Sequence, residues 1–503
     1  MAYVKPINIP RAPEMLIRPK TFKGLMQGVS EYLLDWAYSP DCENIDVSEG
    51  ILSTVSGSVK FNTNEVADLD AGYSIEKIFV FEATWKLLII GASNVSNDHK
   101  WYYTKYTGEI CEILDVATSA VSLTTHDPTA TYAAMYNDSG TNYMALMYIN
   151  NTPIKLSLDV STIEYAEMAA EVPEARFSAT HRERLWVAYD GAGAEKSTAY
   201  YSNSFDPEDF TTELKTGAVI VNTNDGEFIT AFKEIFDDIV IFKHGSMWRV
   251  TGNTPSSYGL EKIYSMTGTH EQMSVCADGN RCYFMGSDGI VYLYDGNTCH
   301  VILKDEYKEI FGDIINSMFD THWYMAMGLL GDKLYMFSMN DYVALLYNTK
   351  TRRTEKLAMQ DFVCMTTDEL VGQAFVWYSD GTDIFYLDKD ALTWGGLDID
   401  AYWFTPETDF ARPDASKALT NIYLTGFGTD SAGEAGGEVK VTTYYNEAGT
   451  QKTNEKTITL QTSHKVHDIP MSVSGRLFKF KIENVDGTAF HIKPAFKWEI
   501  DKD

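Results

Sequence analysis

The chain is poor in proline, in cysteine, in basic charge and in long apolar runs, and each shortage closes off a class of protein. Only 14 Pro stand among 503 residues of which 13% are aromatic, with 31 Tyr and 25 Phe, so the composition is that of a folded, strand-rich protein and not a disordered one. No apolar run reaches the roughly 18 residues that a membrane helix needs, and the opening MAYVKPINIPRAPEM lacks the apolar core of a signal peptide. The expectation is a protein that neither spans a membrane nor is exported by the usual signal. The six cysteines, Cys42, Cys111, Cys276, Cys282, Cys299 and Cys364, show no CxxC spacing and sit mostly in strand-like runs. They read as reduced structural thiols of a cytoplasm, with a Cys276–Cys282 or Cys282–Cys299 disulfide as the alternative.

Basic charge is scarce in one place above all. The net charge is −30, yet residues 1–60 carry six basic and seven acidic side chains and residues 401–503 carry twelve and fourteen. Residues 61–400 therefore hold 23 basic and 50 acidic groups, a net of −27. Such a surface repels nucleic acid, because phosphate binding depends on Lys and Arg displacing counterions. The bland reading is solubility, and the sharper one is a channel wall past which DNA slides without sticking.

Catalytic and ligand signatures are also missing. No P-loop or dinucleotide fingerprint is present, and Gly91-Ala92-Ser93 lacks the second Gly of a nucleophile elbow. Sialidase-type propellers need an acidic pair with a Tyr and an Arg cluster at the hub, and nothing in the order of residues singles out such a set. Asp68-Leu69-Asp70-Ala71-Gly72 has neither the third acidic ligand nor the distal Glu of a calcium loop, so it reads as a capped turn and no metal or cofactor is expected. His181, His244, His270 and His322 read as turn or core histidines.

What the chain does have is a repeated hairpin. In CYFMGSDGIVYLYDG, from Cys282, two alternating runs flank Ser287-Asp288-Gly289, where Gly tolerates positive φ and the Asp side chain can bind the backbone just after it. A close copy from Ala374 repeats Ser379-Asp380-Gly381 between aromatic-rich runs. Looser copies begin at Lys86, Tyr143, Arg184, Ile239 and Leu334. Hairpins repeating at roughly 40 to 60 residues give the period of a four-stranded blade, so the spacing predicts a β-propeller of seven blades, or six, over 61–400. Lys304–Met318 alone shows helical spacing, weakened by Gly312. Residues 401–503 alternate apolar and polar between Gly, Asn and Asp turns and predict a β-sandwich. Residues 1–60 read as an extended N-terminal arm with linker strands. Lys5, Arg11, Arg18, Lys20 and Lys23 face Glu14 alone in its first 24 positions, and Pro6, Pro10, Pro13 and Pro19 break regular structure there.

Three stretches resemble a known family. Pro40-Asp41-x-x-Asn44-Ile45-Asp46 with Gly50 and Gly57 resembles the start of many bacteriophage virion proteins. Arg184-Leu185-Trp186, then Tyr200-Tyr201-Ser202, then Asp206-Pro207-Glu208-Asp209-Phe210 resembles a blade hairpin of phage tail-nozzle proteins. Asp409-Phe410 with Arg412-Pro413-Asp414, and the strand Gly475–Ile482, are similar to their C-terminal domain. The resemblance is to the nozzle, or tail-stabilisation, family of short-tailed bacteriophages, the head-tail connector proteins. It implies a structural virion protein of the tail, made in the host bacterial cytoplasm and not an enzyme. Several copies, usually six, would form a ring below the portal and adaptor that continues the DNA channel, with tail fibres or a spike as further neighbours. DNA would pass without specific binding. It also implies subunit or adaptor contacts through Arg11, Arg18, Lys20, Phe22, Lys23, Arg412 and Asp414. Trp186 and Tyr200 would pack between sheets, and Phe210 would tuck back onto its blade. The rivals are a glycan-binding propeller of a tail fibre, displaying Trp101-Tyr102-Tyr103 or Trp377-Tyr378, and a glycosidase-type propeller using two carboxylates.

Overall fold

The computed structural model describes residues 15–62, 69–81, 87–104, 110–113, 123–148, 151–159, 162–188, 194–264, 266–278, 281–303, 325–338, 343–358, 363–370, 373–434, 436–447 and 449–500. Among these residues the regular structure is β-strand with short 3-10 turns. The segment read as a helix, Lys304–Met318, lies outside them, as do Arg11, Asp68 and His322. Contacts divide the chain into two compact units, one built from Met1–Ser58, Leu345–Ala358 and Asp388–Asp503, the other from Val59–Ala344 and Met359–Leu387.

The second unit is a succession of small antiparallel sheets in which strand order follows chain order. The first sheet is Tyr73–Val80, Leu88–Asn94, His99–Thr104 and Ile110–Glu112; the second runs from Tyr132–Asp138 to Thr162–Glu167. The third comprises Phe177–His181, Arg184–Ala188, Thr198–Tyr201 and Gly217–Ile220. Two more run from Ile229–Ile235 to Gly259–Tyr264 and from Val275–Ala277 to Cys299–Leu303. Met325–Leu330 then pairs with Lys333–Ser338, and Cys364–Leu370 pairs with Gln373–Ser379, which pairs with Ile384–Leu387. From the second sheet onward each first strand packs against the first strand of the next, and Cys364–Leu370 packs back on Tyr73–Val80. Small meanders arranged in a closed circuit are a β-propeller.

The packing explains the sequence pattern. Leu185, Trp186, Val187 and Ala188 are all buried, because a blade covered on both faces reads as a continuous apolar run. Trp186 and Phe177 join Phe232, Ile239 and Ile241 of the next sheet in one core, while Leu185 and Val187 join Ala145 and Met147 of the previous one. Ile75, Ile78 and Leu88 share a cluster with Cys364, Trp377 and Ile384, which closes the ring with side chains as well as backbone. The hairpin turns form as their residues dictate. Gly289 has φ +77 and Ile290 N–H donates to Asp288 Oδ1 at 3.2 Å; Gly381 has φ +95 and Asp380 Oδ1 accepts from Thr382 N–H at 2.9 Å and Asp383 N–H at 2.7 Å. Asp209 N–H donates to Asp206 O across Pro207, and Phe210 packs on the cluster between the second and third sheets, beside Tyr200.

The first unit consists mainly of two antiparallel sheets. One has the order Lys465–Gly475, Lys417–Thr429, Ala489–Ile500, Leu52–Thr54, Ile45–Asp46, with Met15–Ile17 also on Ala489–Ile500. The other has the order Cys42–Glu43, Tyr402–Phe404, Phe478–Val485, Glu438–Glu447, Thr450–Thr459. Phe480 and Phe496, one from each sheet, stack at 4.3 Å, and Phe410 bridges Phe478 at 5.4 Å and Trp498 at 4.9 Å, so the two sheets face each other. Residues 15–58, read from the sequence as part of an arm with linker strands, supply strands and turns of this unit. They are tied in by pairings hundreds of residues apart, such as Gly24 parallel to Thr354 and Ile492 to Leu52, which no local pattern announces.

Candidate functional site

The propeller brings four polar side chains together that lie far apart in sequence. Tyr132 opens the first strand of the second sheet, Arg176 precedes that of the third, Glu271 precedes that of the fifth, and Lys77 stands on that of the first. The Tyr132 hydroxyl donates to Glu271 Oε1 at 2.6 Å. The Lys77 ammonium lies 4.2 Å from the Tyr132 ring centre and donates to Thr131 O at 2.9 Å and Thr129 O at 3.3 Å, while the Arg176 guanidinium lies over the same ring at 5.7 Å. Gln272, next to Glu271, donates to Ser178 O at 2.8 Å.

Burial sets the electrostatics of this cluster. Tyr132 and Lys77 are 2% and 3% exposed. Desolvation pushes the Lys77 ammonium down to about 8 and the Tyr132 phenol well above its ordinary value, with the neighbouring Glu271 charge adding to the latter. Burial also raises the Glu271 carboxyl, against the pull of Lys77. A cation–π contact and a hydrogen bond to a carboxyl group thus tie the segments that open the second and fifth sheets to the first strand of the first sheet. Sequence reasoning missed all four residues, because nothing local marks them.

A second buried lysine is held by hydrogen bonds. Lys243 is fully buried and donates to Asp225 Oδ1 at 2.6 Å, Asn222 O at 2.9 Å, Val221 O at 3.1 Å and Ser197 Oγ at 3.2 Å. His181 is buried with Nδ1 3.0 Å from Glu234, and the rings of His244 and His270 meet edge to face at 4.3 Å. Among the described residues no group of three His, Cys, Asp or Glu is placed to hold a metal ion. Asp70, from the weak calcium motif, is instead paired with Lys100. All six cysteines are free thiols, and burial pushes Cys276 and Cys299 up to about 12.

The described candidate contact residues, Arg18, Lys20, Phe22, Lys23, Arg412 and Asp414, fall in the first unit. Arg18, Lys20 and Lys23 are exposed, Lys23 over the Tyr38 ring at 5.0 Å, and the Lys20 carbonyl accepts from Lys493 Nζ at 2.7 Å. Phe22 is not a surface residue: it is 1% exposed and meets Trp403 edge to face at 5.3 Å. Arg412 and Asp414 are exposed and pair with each other at 3.2 Å. Beside them Leu16, Ile17, Trp36, Thr408, Phe410, Ala411 and Trp498 line an apolar pocket of about 520 Å³. Phe410 and Ala411 both have positive φ, 54° and 57°, a costly pair of left-handed residues. Asp409 holds them, accepting from Ala411 N–H at 2.7 Å and from the Tyr32 hydroxyl at 2.5 Å.

The aromatic runs considered as sugar platforms are not displayed. Trp101 and Tyr102 are 1% exposed, Tyr103 5%, Trp377 1% and Tyr378 3%, because they fill the spaces between sheets.

No protein-family model matches the chain, and no curated protein matches it. Among solved structures, the chain is similar to the computationally designed Ika8 protein at 10% identity and TM-score 0.38, over 64% of this chain and 99% of that one. It is similar to the Cps50 (Swd1) β-propeller domain of Myceliophteria thermophila at 12% identity and TM-score 0.41, over 65% and 99%. YCF48 from Cyanidioschyzon merolae matches at 10% identity and TM-score 0.39, over 64% and 98%.

Proposed function

We propose that the chain is a structural virion protein that assembles into a ring, the nozzle of a short-tailed bacteriophage, and extends the DNA channel below the portal and adaptor. The observation that carries this reading is the division of charge. The acid excess, net −27 over residues 61–400, falls on the span that contains the propeller, while 1–60 and 401–503 are close to neutral. An acidic body lets DNA pass unbound, and near-neutral surfaces suit protein contacts. Each of the seven successive first strands in the described residues stands for one blade, and the two facing sheets of the first unit play the part of the terminal sandwich. The buried Lys77–Tyr132–Glu271 clamp and the buried aromatic runs both speak for a scaffold over a glycosidase or glycan-binding propeller.

Sedimentation velocity of the purified protein, alone and mixed with the adaptor ring, tests the proposal. A species at an integral multiple of 56.6 kDa, six by the family resemblance, is the expected result. A protein that stays monomeric in both conditions while binding host-surface glycans contradicts it.

A further inference from the structure

The apolar pocket of the first unit lies at its first described strand. Leu16 and Ile17 form part of the wall, and their strand pairs Met15 with Trp498 and Ile17 with Phe496. Residues 1–14 lie outside the described residues and join that wall directly through Met15. Proline is confined to strand ends and edges, so Pro13 and Pro10 disfavour a ladder that continues past Trp498.

The pocket presents aromatic rings and a buried donor. Phe410 stacks on Trp498 at 4.9 Å and on Trp36 at 6.2 Å. Trp498 is 1% exposed, and its indole N–H has no acceptor among the described residues. A buried donor without an acceptor costs about 1–3 kcal/mol, so the site gains from a chain that brings it a carbonyl. Apolar surface continues outside the pocket, with Leu16 52% exposed and Tyr32 51% exposed, the latter bonded through its hydroxyl to Asp409 beside Phe410. Aromatic walls with an indole N–H suit an extended proline-rich chain, which carries apolar rings and solvated carbonyls and makes no hydrogen bonds within itself.

Residues 1–14, MAYVKPINIPRAPE, have that chemistry. Pro6, Pro10 and Pro13 lack N–H groups, bias Lys5, Ile9 and Ala12 to extended backbone, and two of them bracket the apolar Ile7 and Ile9. Ile9 stands six residues before Met15 and so reaches points within about 20 Å of it. A tether this short gives an effective concentration on the order of millimolar, enough to fill a site that would hold the same peptide only weakly from solution.

We infer that the Trp36–Phe410–Trp498 pocket is a receptor for extended proline-rich chain and that residues 1–14 of the same copy occupy it. Ile7 and Ile9 lie against the rings, and a carbonyl of the segment accepts from Trp498 Nε1. The contact is made within one copy and stands or fails independently of the ring.

Full-length variants test it. A fluorescein-labelled peptide of residues 1–14 should bind the Ile7→Ser, Ile9→Ser double variant about tenfold or more tightly than the wild type, whose site is already filled, and a peptide carrying the same two serines should bind neither. A peptide that binds wild type and double variant alike, or binds neither, overturns the inference. Asn8→Cys and Ala411→Cys in one chain should close an intrachain disulfide under mild oxidation, running as monomer on a non-reducing gel and giving the linked peptide by mass spectrometry, with neither single variant giving it. The same bond formed between chains would make a second copy's segment the occupant, and no bond would leave the pocket without this segment; either result contradicts the inference.

Discussion

Tyr132 and Glu271, 139 residues apart, meet in a 2.6 Å hydrogen bond that joins the second and fifth sheets of the propeller. The phenol is buried and the carboxyl is held against Lys77, so the bond's worth depends on both ends keeping a partner. Tyr132→Phe, which takes the hydroxyl donor from the carboxyl group, should cost about 1–3 kcal/mol of stability. Glu271→Gln keeps an acceptor and should cost less. Urea midpoints of the two variants check the order; equal losses would show that the hydrogen bond is not the source.

His126 supplies a pH test. It is fully buried, its Nε2 lies 3.2 Å from Thr152 O, and desolvation pushes it from 6.5 down to about 4. The unfolded chain therefore binds a proton near pH 6.5 that the folded chain refuses until about pH 4. Stability from this group is fully present above pH 6.5 and should fall by about 3 kcal/mol as pH drops to 4. His126→Gln should flatten that part of the stability–pH curve. An unchanged slope would show that His126 is not the group responsible.

The Arg184 guanidinium closes the loop that carries Phe205 and Leu214. Arg184→Ala removes the donor from two carbonyls in or beside the core and should cost about 2–4 kcal/mol. Limited proteolysis should then cut within 203–216 well before the wild type is cut. Equal cutting rates would show that the clasp does not order the loop.

Gly24 is held at φ +98, and a Cβ there would lie 1.9 Å from Thr354 O. Gly24→Ala should therefore break the parallel pairing of Gly24–Leu25 with Thr354 and cost more than about 3 kcal/mol. Thermal unfolding measures it, and a shift within about 1 °C of wild type would contradict the geometry.

The turns were legible because their chemistry is local: Asp288-Gly289 and Asp380-Gly381 specify a reversal whatever surrounds them, and the pattern of alternating runs marks the strands on either side. The Phe22 side chain misled, since a cationic, proline-rich segment looks like a free arm until its pairing partners, Trp403 and Thr354, come from the far end of the chain. Trp101-Tyr102-Tyr103 misled similarly, because aromatic density marks packing between blades and sugar platforms alike. Lys77, Tyr132, Arg176 and Glu271 carried no signal at all; only closure of the ring of sheets puts them together.

Class averages from electron microscopy of the purified protein, alone and mixed with a candidate adaptor ring, test the proposed ring. The account predicts closed particles with one central hole and a single copy number. Compact single-chain particles in both samples would contradict it.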